Sequence, residues 1–385
     1  MNDLFFELIR VSLGVQPHLS RVLSLDEWRD LYNIAEKQAL IGICFEGVRK
    51  EHIRNKLPQT LYLKWMGVAI MIKNRNEKIN NQCVDLQYLM ANAGYNICIF
   101  KGQTVGALYD TINLHNELET LNRRNGTIGG GLTDLSMLRI PGDIDIWVQG
   151  GYSRVVNLVN QFCPTQNIRE THAQLNIYDG TIVEAHYRPG LIRNFITNYH
   201  LQKFFKDQEE ECFKNFVKFP NIIKPICTPT WEFNVIHQLS HIFHHLFAGG
   251  VGLRQVMDLY FVLKISSESH SYLSLNTTIA KCGMKRFCAA LMWVLQYVFR
   301  LESELMICPS NEKDGRFLLK EIMLSGNFGQ RDKRNKRYNS KSYLQNFTGI
   351  IFRNVSYVRF APFDWMMSPI WRLYYFCWRK IKGFQ

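Results

Sequence analysis

The stretch that decides the fold of this chain is Pro141-Gly142-Asp143-Ile144-Asp145-Ile146-Trp147-Val148. Side chains alternate between the two faces of a strand, so Asp143 and Asp145 project side by side while Ile144 and Ile146 enter the core. Adjacent carboxylates repel, and aspartate is depleted from strands. A hard cation such as Mg²⁺ between them would cancel that cost. The alternative is a strand end whose aspartates face solvent or cap a turn.

A second strand precedes this stretch and leads into a glycine turn. The segment 96–100 is short and mostly apolar, and Lys101-Gly102 then begins a helical segment that continues to Tyr109. Free backbone N–H groups at a helix start favour anions, and Lys101 adds positive charge, although a lone Lys-Gly pair also marks an ordinary turn. Residues 111–138 are polar and Gly-rich, which predicts an inserted loop or lid.

A hairpin is predicted downstream, because Asp179-Gly180 separates the strand-like runs 172–178 and 181–187. Glu184 and His186 share one face of the second strand. A carboxylate there would serve as a third metal ligand or a general base. The alternative is a cross-strand ion pair on an exposed sheet face.

The flanking regions have helical patterns. Residues 1–92 carry a capping-box signature at Ser24 and Glu27 and a long amphipathic segment over about 61–90, and helix returns over about 191–324. His237, His241, His244 and His245 fall in one helical segment, roughly opposite its apolar stripe. They would line a cleft or face solvent. No HExxH signature accompanies them, so a dedicated transition-metal site is the less favoured interpretation.

Composition describes a folded, basic protein of 385 residues, with 46 Lys and Arg against 33 Asp and Glu, net charge +13 and 46% hydrophobic residues. The charge favours anionic partners. The longest apolar run, about 65–72, is too short to cross a bilayer, which takes about 20 residues. The N-terminus does not resemble a signal peptide, and the scattered cysteines suggest reduced core residues. We therefore expect a cytoplasmic protein.

Two segments suggest partners. The basic run from Arg331 to Lys341 fits a solvated loop better than a nucleic-acid site, for which no motif is present. Residues 357–385 combine aromatic and basic side chains, interrupted by Pro362 and Pro369. This segment would pack back on the protein, or bind a membrane surface peripherally, or dock a partner.

Taken in order, these motifs resemble the polymerase-beta-like nucleotidyltransferase superfamily. In detail the chain resembles the uncharacterised nucleotidyltransferase family proteins that often occur among bacterial polysaccharide-biosynthesis genes. The residues that carry the likeness follow the chain from the first strand to the helical region: Phe100-Lys101-Gly102, Leu108-Tyr109, Arg139, residues 142–148, His172, residues 183–187, the 237–245 segment, and Leu253-Arg254 to Asp258.

The resemblance implies an α+β fold, in which a polymerase-beta-like core of mixed sheet and flanking helices is embedded between helical N- and C-terminal regions. We divide the chain into a helical region 1–92, a core 93–190 with the inserted loop 111–138, a helical region 191–325, and a basic loop with aromatic-basic helices 326–385.

For function, the resemblance implies Mg²⁺- or Mn²⁺-dependent transfer of a nucleoside monophosphate from an NTP to a hydroxyl or phosphate acceptor of unknown identity. Asp143, Asp145 and Glu184 are the expected catalytic metal ligands. The expected nucleotide contacts are Lys101, Gly102, Arg139 and Gly142, and weaker cleft candidates are His172, His186, His241 and Asp258. The usual Gly-Ser turn is Lys-Gly here, so a non-catalytic nucleotide-binding or scaffold protein that docks on a polysaccharide-assembly partner is the alternative.

Overall fold

The computed structural model describes residues 1–52, 54–110, 134–163, 167–219, 221–265, 272–332, 334 and 354–381. Helices predominate, and a small mixed sheet lies among them. The helices are α1 Asn2–Ser12, α2 Leu25–Lys37, α3 Ile41–Glu51, α4 Gln59–Asn92, α5 Gly102–Gly106, α6 Leu135–Leu138, α7 Gly151–Phe162, α8 Phe195–Lys214, α9 Trp231–Ala248, α10 Leu253–Lys264, α11 Tyr272–Lys281, α12 Lys285–Phe299, α13 Glu312–Ser325 and α14 Pro362–Ile381.

The helical N-terminal region agrees with the sequence prediction. Ser24 accepts a hydrogen bond from the Glu27 amide, and the Glu27 side chain accepts one from the Ser24 amide, so the predicted capping box starts α2. The predicted long amphipathic segment is α4. Trp65 of α4 is fully buried and donates its indole N–H to the Ile41 carbonyl at 2.7 Å. This bond fixes α4 against the start of α3.

The sheet has four strands, β1 Ile97–Phe100, β2 Ile144–Val148, β3 His172–Tyr178 and β4 Thr181–His186, in the order β1-β2-β4-β3. β2 is antiparallel to β1 and parallel to β4, and β3 is antiparallel to β4. Every residue of β2 is buried, as expected for a central strand. A separate ladder pairs β5 Phe216–Val217 with β6 Ile226–Cys227. The predicted mixed sheet with flanking helices is therefore confirmed at this level.

The predicted hairpin and part of the predicted insertion are described. Gly180 has a φ of +70° between β3 and β4, which the Asp-Gly turn anticipates. The predicted loop 111–138 lies mostly outside the described residues, but its last part is the buried helix α6 rather than loop. Gly42 permits this packing, because a Cβ there would lie 2.1 Å from the Leu138 carbonyl oxygen.

The C-terminal helix α14 differs from the prediction at its prolines. Pro362 starts the helix, as its fixed φ favours, but Pro369 lies inside a helix that continues to Ile381. Trp371 is buried on one side, whereas the apolar side chains of Phe363, Leu373 and Ile381 are exposed. Self-packing therefore accounts for one face, and a membrane or partner contact of the other stays a prediction.

Two arginines of the predicted basic run are described, and both pair within the chain. Arg331 binds Glu36 at 2.6 Å, and Arg334 binds Glu321 and Asp332 at 2.9 and 2.8 Å. Both arginines are therefore paired with carboxylates of the chain, while their side chains remain 52% and 38% exposed. Separately, no helix in the described ranges combines the length and apolar character needed to cross a membrane.

Candidate functional site

A cavity of about 460 Å³ opens at the ends of β1 and β2 and beside β4. Its size lies in the range usual for small-molecule sites. The chain brings together here all the residues that the sequence marked, although they come from positions 101 to 258. They are Lys101, Gly102, Arg139, Gly142, Asp143, Asp145, His172, Glu184, His186, His241 and Asp258. All of these residues line the same cavity, and their individual roles stay predictions.

Strand register sets the three carboxylates together. Asp145 of β2 is the direct neighbour of Glu184 on parallel β4, so both side chains project from the same face of the sheet. Asp143 lies just before β2, two residues from Asp145. Burial and the charges of Asp145 and Glu184 raise the pKa of Asp143 to about 6. The cavity therefore carries concentrated negative charge.

Asp145 is the most buried of the three and binds two neighbours. Its Oδ1 lies 2.8 Å from Lys101 Nζ and 2.8 Å from His186 Nε2. Burial raises its pKa, but these neighbours outweigh burial and keep the pKa below its usual value. Lys101, held at a φ of 61° in the glycine turn, thus places its ammonium against the carboxylate rather than in open solvent. The helix that follows, α5, has only five residues.

Glu184 lies between two histidines of the hairpin. Its carboxylate oxygens are 3.3 Å from His172 Nε2 and 3.4 Å from His186 Nε2. Burial opposes ionisation of Glu184, but the histidines keep its pKa below its usual value. Burial and the adjacent His186 lower the pKa of His172 to about 4, so that imidazole is neutral at pH 7. The predicted cross-strand pairing exists, and it faces the cavity.

Arg139, expected to contact a triphosphate, is engaged by Asp258 of α10. Its Nε and Nη2 donate to the two carboxylate oxygens at 2.7 Å each, and Tyr109 donates its hydroxyl to Asp258 at 2.7 Å. Both charged residues are only 5% exposed. This bidentate pair orients the cavity wall and leaves little of the guanidinium available to a ligand.

Arg254 is a charged residue of the cavity that site prediction from sequence missed. It is 8% exposed, and its Nη1 donates to the Ile140 carbonyl at 2.9 Å. Its Nε has no hydrogen-bond partner among the described residues. Burial and the nearby charge of Arg139 lower the pKa of Arg254 to about 10, so it remains a cation at pH 7. Its position one helical turn before Asp258 was the available signal.

Three of the four histidines of α9 line the cavity, and the fourth is buried in the core. His241, His244 and His245 line the cavity, whereas His237 is completely buried and bonds the Pro189 carbonyl through Nε2 at 3.1 Å. Burial is the main cause that lowers the pKa of each of these imidazoles, that of His245 to about 4. They therefore form a neutral polar wall at pH 7.

A second cavity of about 360 Å³ adjoins the first, and Glu170 and Tyr375 line both. Trp371 of α14 donates its indole N–H to Glu170 at 2.8 Å, which ties this helix to the boundary between the cavities. The remaining lining is Tyr152, Tyr187, Arg188, Tyr374 and Trp378. A lining of aromatic rings with one acidic and one basic group, Glu170 and Arg188, suits a flat or ring-bearing ligand.

A divalent cation fits the donor set of the first cavity. The carboxylates of Asp145 on β2, Glu184 on β4 and Asp143 just before β2 are the hard oxygen ligands that Mg²⁺ or Mn²⁺ takes. Among the described residues, the group that brings its ligand atoms within 4.8 Å of one another is His172, Glu184 and His186, and not the three carboxylates.

Comparison with curated proteins gave no match, and comparison with solved structures gave none either. A family model described as an uncharacterised nucleotidyltransferase matches residues 24–116 and 133–300. The matched residues include the sheet and the three carboxylates Asp143, Asp145 and Glu184. The chain therefore belongs to this uncharacterised nucleotidyltransferase family.

Proposed function

We propose that the chain transfers a nucleoside monophosphate from an NTP to a hydroxyl or phosphate acceptor, with Asp143, Asp145 and Glu184 as ligands of Mg²⁺ or Mn²⁺. The observation that carries the proposal is the pairing of Asp145 with Glu184 across parallel strands, with Asp143 in the same cavity. When bound, the cations would neutralise the phosphates and activate the acceptor oxygen. Membership of the family favours nucleotidyl transfer over other metal chemistry.

The residues of the chain would bind and orient the reactants. Lys101 and Arg254 would neutralise the triphosphate, and the Gly102 amide would donate to a phosphate oxygen. The acceptor oxygen attacks the α-phosphorus, the bond to the bridging α–β oxygen breaks, and pyrophosphate leaves. The acceptor proton passes to a carboxylate or water in the cavity. The neutral histidines of α9 provide hydrogen bonds without adding charge.

The acceptor would occupy the second cavity, the one lined by aromatic rings, because it adjoins the first cavity, which holds the carboxylates, at Glu170 and Tyr375. Its rings suit a sugar acceptor, which agrees with a role in surface polysaccharide assembly. Trp378→Ala would raise the KM for such an acceptor and leave NTP affinity unchanged. An equal rise in the KM for the acceptor and in the Kd for the NTP would place the acceptor elsewhere.

The test of transfer uses α-labelled NTPs, Mg²⁺ or Mn²⁺, and a panel of sugar, protein and RNA acceptors. Asp143→Asn should abolish label transfer while keeping the melting temperature close to that of the wild type. Asp207→Asn is the matched control, because Asp207 is an exposed carboxylate on α8 paired with Lys203 at 3.0 Å. Transfer by Asp143→Asn at the wild-type rate would refute the assignment.

A non-catalytic nucleotide-binding protein is the second candidate. The observation that favours it is the Lys101–Asp145 pair, because an ammonium at 2.8 Å already neutralises a carboxylate that a catalytic cation needs. This candidate predicts nucleotide binding that survives EDTA and no turnover with any acceptor. Metal-dependent label transfer would exclude it.

A further inference from the structure

We infer that His172, Glu184 and His186 form a mixed nitrogen–oxygen metal site that prefers Mn²⁺, Co²⁺ or Zn²⁺ to Mg²⁺. The inference rests on the proposed function in one respect, since both take Glu184 to face a bound cation. It differs in adding imidazole ligands and in naming the class of metal. Nitrogen ligands suit transition ions, whereas Mg²⁺ favours oxygen.

One hairpin builds this site. Glu184 and His186 are two residues apart on β4, so they share a face, and His172 of β3 is the direct neighbour of His186. The ligand atoms of the three residues lie within 4.8 Å of one another. Because paired strands hold all three, no loop has to close to assemble the site.

The orientation of both imidazoles supports ligation. His186 Nδ1 lies 3.3 Å from the Arg188 carbonyl, which only accepts, so this nitrogen carries the proton. In a neutral ring the Nε2 lone pair then points at Asp145 Oδ1, 2.8 Å away, and at Glu184. His172 Nδ1 lies 3.0 Å from the Thr171 hydroxyl, which can donate or accept, and its Nε2 faces Glu184 at 3.3 Å. Such outer partners are typical of metal-binding histidines.

An imidazole Nε2 that lies beside carboxylate oxygens has either its own proton or a metal ion between the nitrogen and the oxygens. Protons on both rings as imidazolium ions are disfavoured, because the two rings lie only 4.8 Å apart between centroids and two positive rings at that distance repel. A single cation satisfies both Nε2 atoms and Glu184 together. The side chains of His186, His172 and Glu184 are 3%, 14% and 23% exposed, so water screens this repulsion poorly.

The test measures metal binding in the full chain after dialysis against EDTA, with Mn²⁺ alone as the probe. Electron spin-echo spectroscopy of bound Mn²⁺ should detect ¹⁴N coupling from coordinated imidazole. His172→Asn should weaken the coupling and lower Mn²⁺ affinity about 10- to 100-fold or more. His200→Asn is the control, because His200 on α8 lies outside both cavities, and it should keep the coupling.

His186→Asn tests the second imidazole, and since His186 is buried its melting temperature must be checked first. If it does not fold, His172→Asn alone decides the question. Bound Mn²⁺ without ¹⁴N coupling, or coupling that survives His172→Asn at full strength, overturns the inference. Wild-type coupling without turnover would instead count against the proposed transferase, so the two failures are distinguishable.

Discussion

Removing one partner of the buried Arg139–Asp258 pair should be among the most damaging single changes in this cavity wall. In Asp258→Asn the guanidinium of Arg139 keeps its charge but loses its counter-ion, and at 5% exposure water cannot replace it. Breaking a buried ion pair in this way costs about 3–5 kcal/mol. The Tyr109 hydroxyl keeps an amide oxygen as acceptor, so it adds little. Urea denaturation should therefore show a loss of about 3–5 kcal/mol in the free energy of unfolding.

Two further variants serve as comparisons for Asp258→Asn. Arg139→Met combined with Asp258→Leu and Tyr109→Phe removes both charges and the dependent hydroxyl, and should recover most of the loss, because an apolar replacement of similar volume is often neutral. Asp207→Asn breaks an exposed pair with Lys203 and should cost less than about 1 kcal/mol. A loss below about 1 kcal/mol in Asp258→Asn, or a combined variant no more stable than Asp258→Asn, would refute the reasoning.

Three further changes have defined outcomes. Arg254→Ala should weaken NTP binding roughly 10- to 100-fold by calorimetry, because a charged hydrogen bond is lost, and unchanged affinity would contradict its role. Burial raises the pKa of Asp364 to about 6 in the folded state, so its contribution to stability is full below about pH 4 and is lost as pH rises to 6. Asp364→Asn should remove about 3 kcal/mol of that pH dependence in denaturation curves, and parallel wild-type and variant curves would contradict this. Gly42→Ala should destabilise the fold by about 1–3 kcal/mol, whereas Gly67→Ala, with no atom within 4 Å of its Cβ, should not, and equal melting temperatures would contradict the packing argument.

Local patterns predicted the sheet and the gathering of the marked residues in one cavity, because those patterns act over a few residues. The Asp-Gly turn predicted the hairpin, and two-residue alternation put Glu184 and His186 on one face, but the register shift between Leu175 and Tyr178 that pairs His172 with His186 had no local signal. The Arg139–Asp258 pair was beyond such reasoning, since 119 residues separate its partners and only tertiary packing joins them. The prediction of a helix break at Pro369 was wrong for a different reason. Its local rule predicts a break, yet α14 continues through it to Ile381.

Charge in the cavity links nucleotide and cation binding under the proposed function. Lys101 is bound to Asp145 and Arg139 to Asp258, so an NTP that enters alone meets carboxylates whose nearest cations are already engaged. A divalent ion between the carboxylates and the phosphates removes that repulsion, so each ligand must strengthen the other by the same factor. In a non-catalytic nucleotide-binding protein the Lys101–Asp145 pair would stay closed and Arg254 would bind the phosphates without a cation, so NTP affinity would not depend on a divalent ion. The ratio of NTP affinities with and without a divalent ion therefore separates the two candidate functions before any acceptor is known.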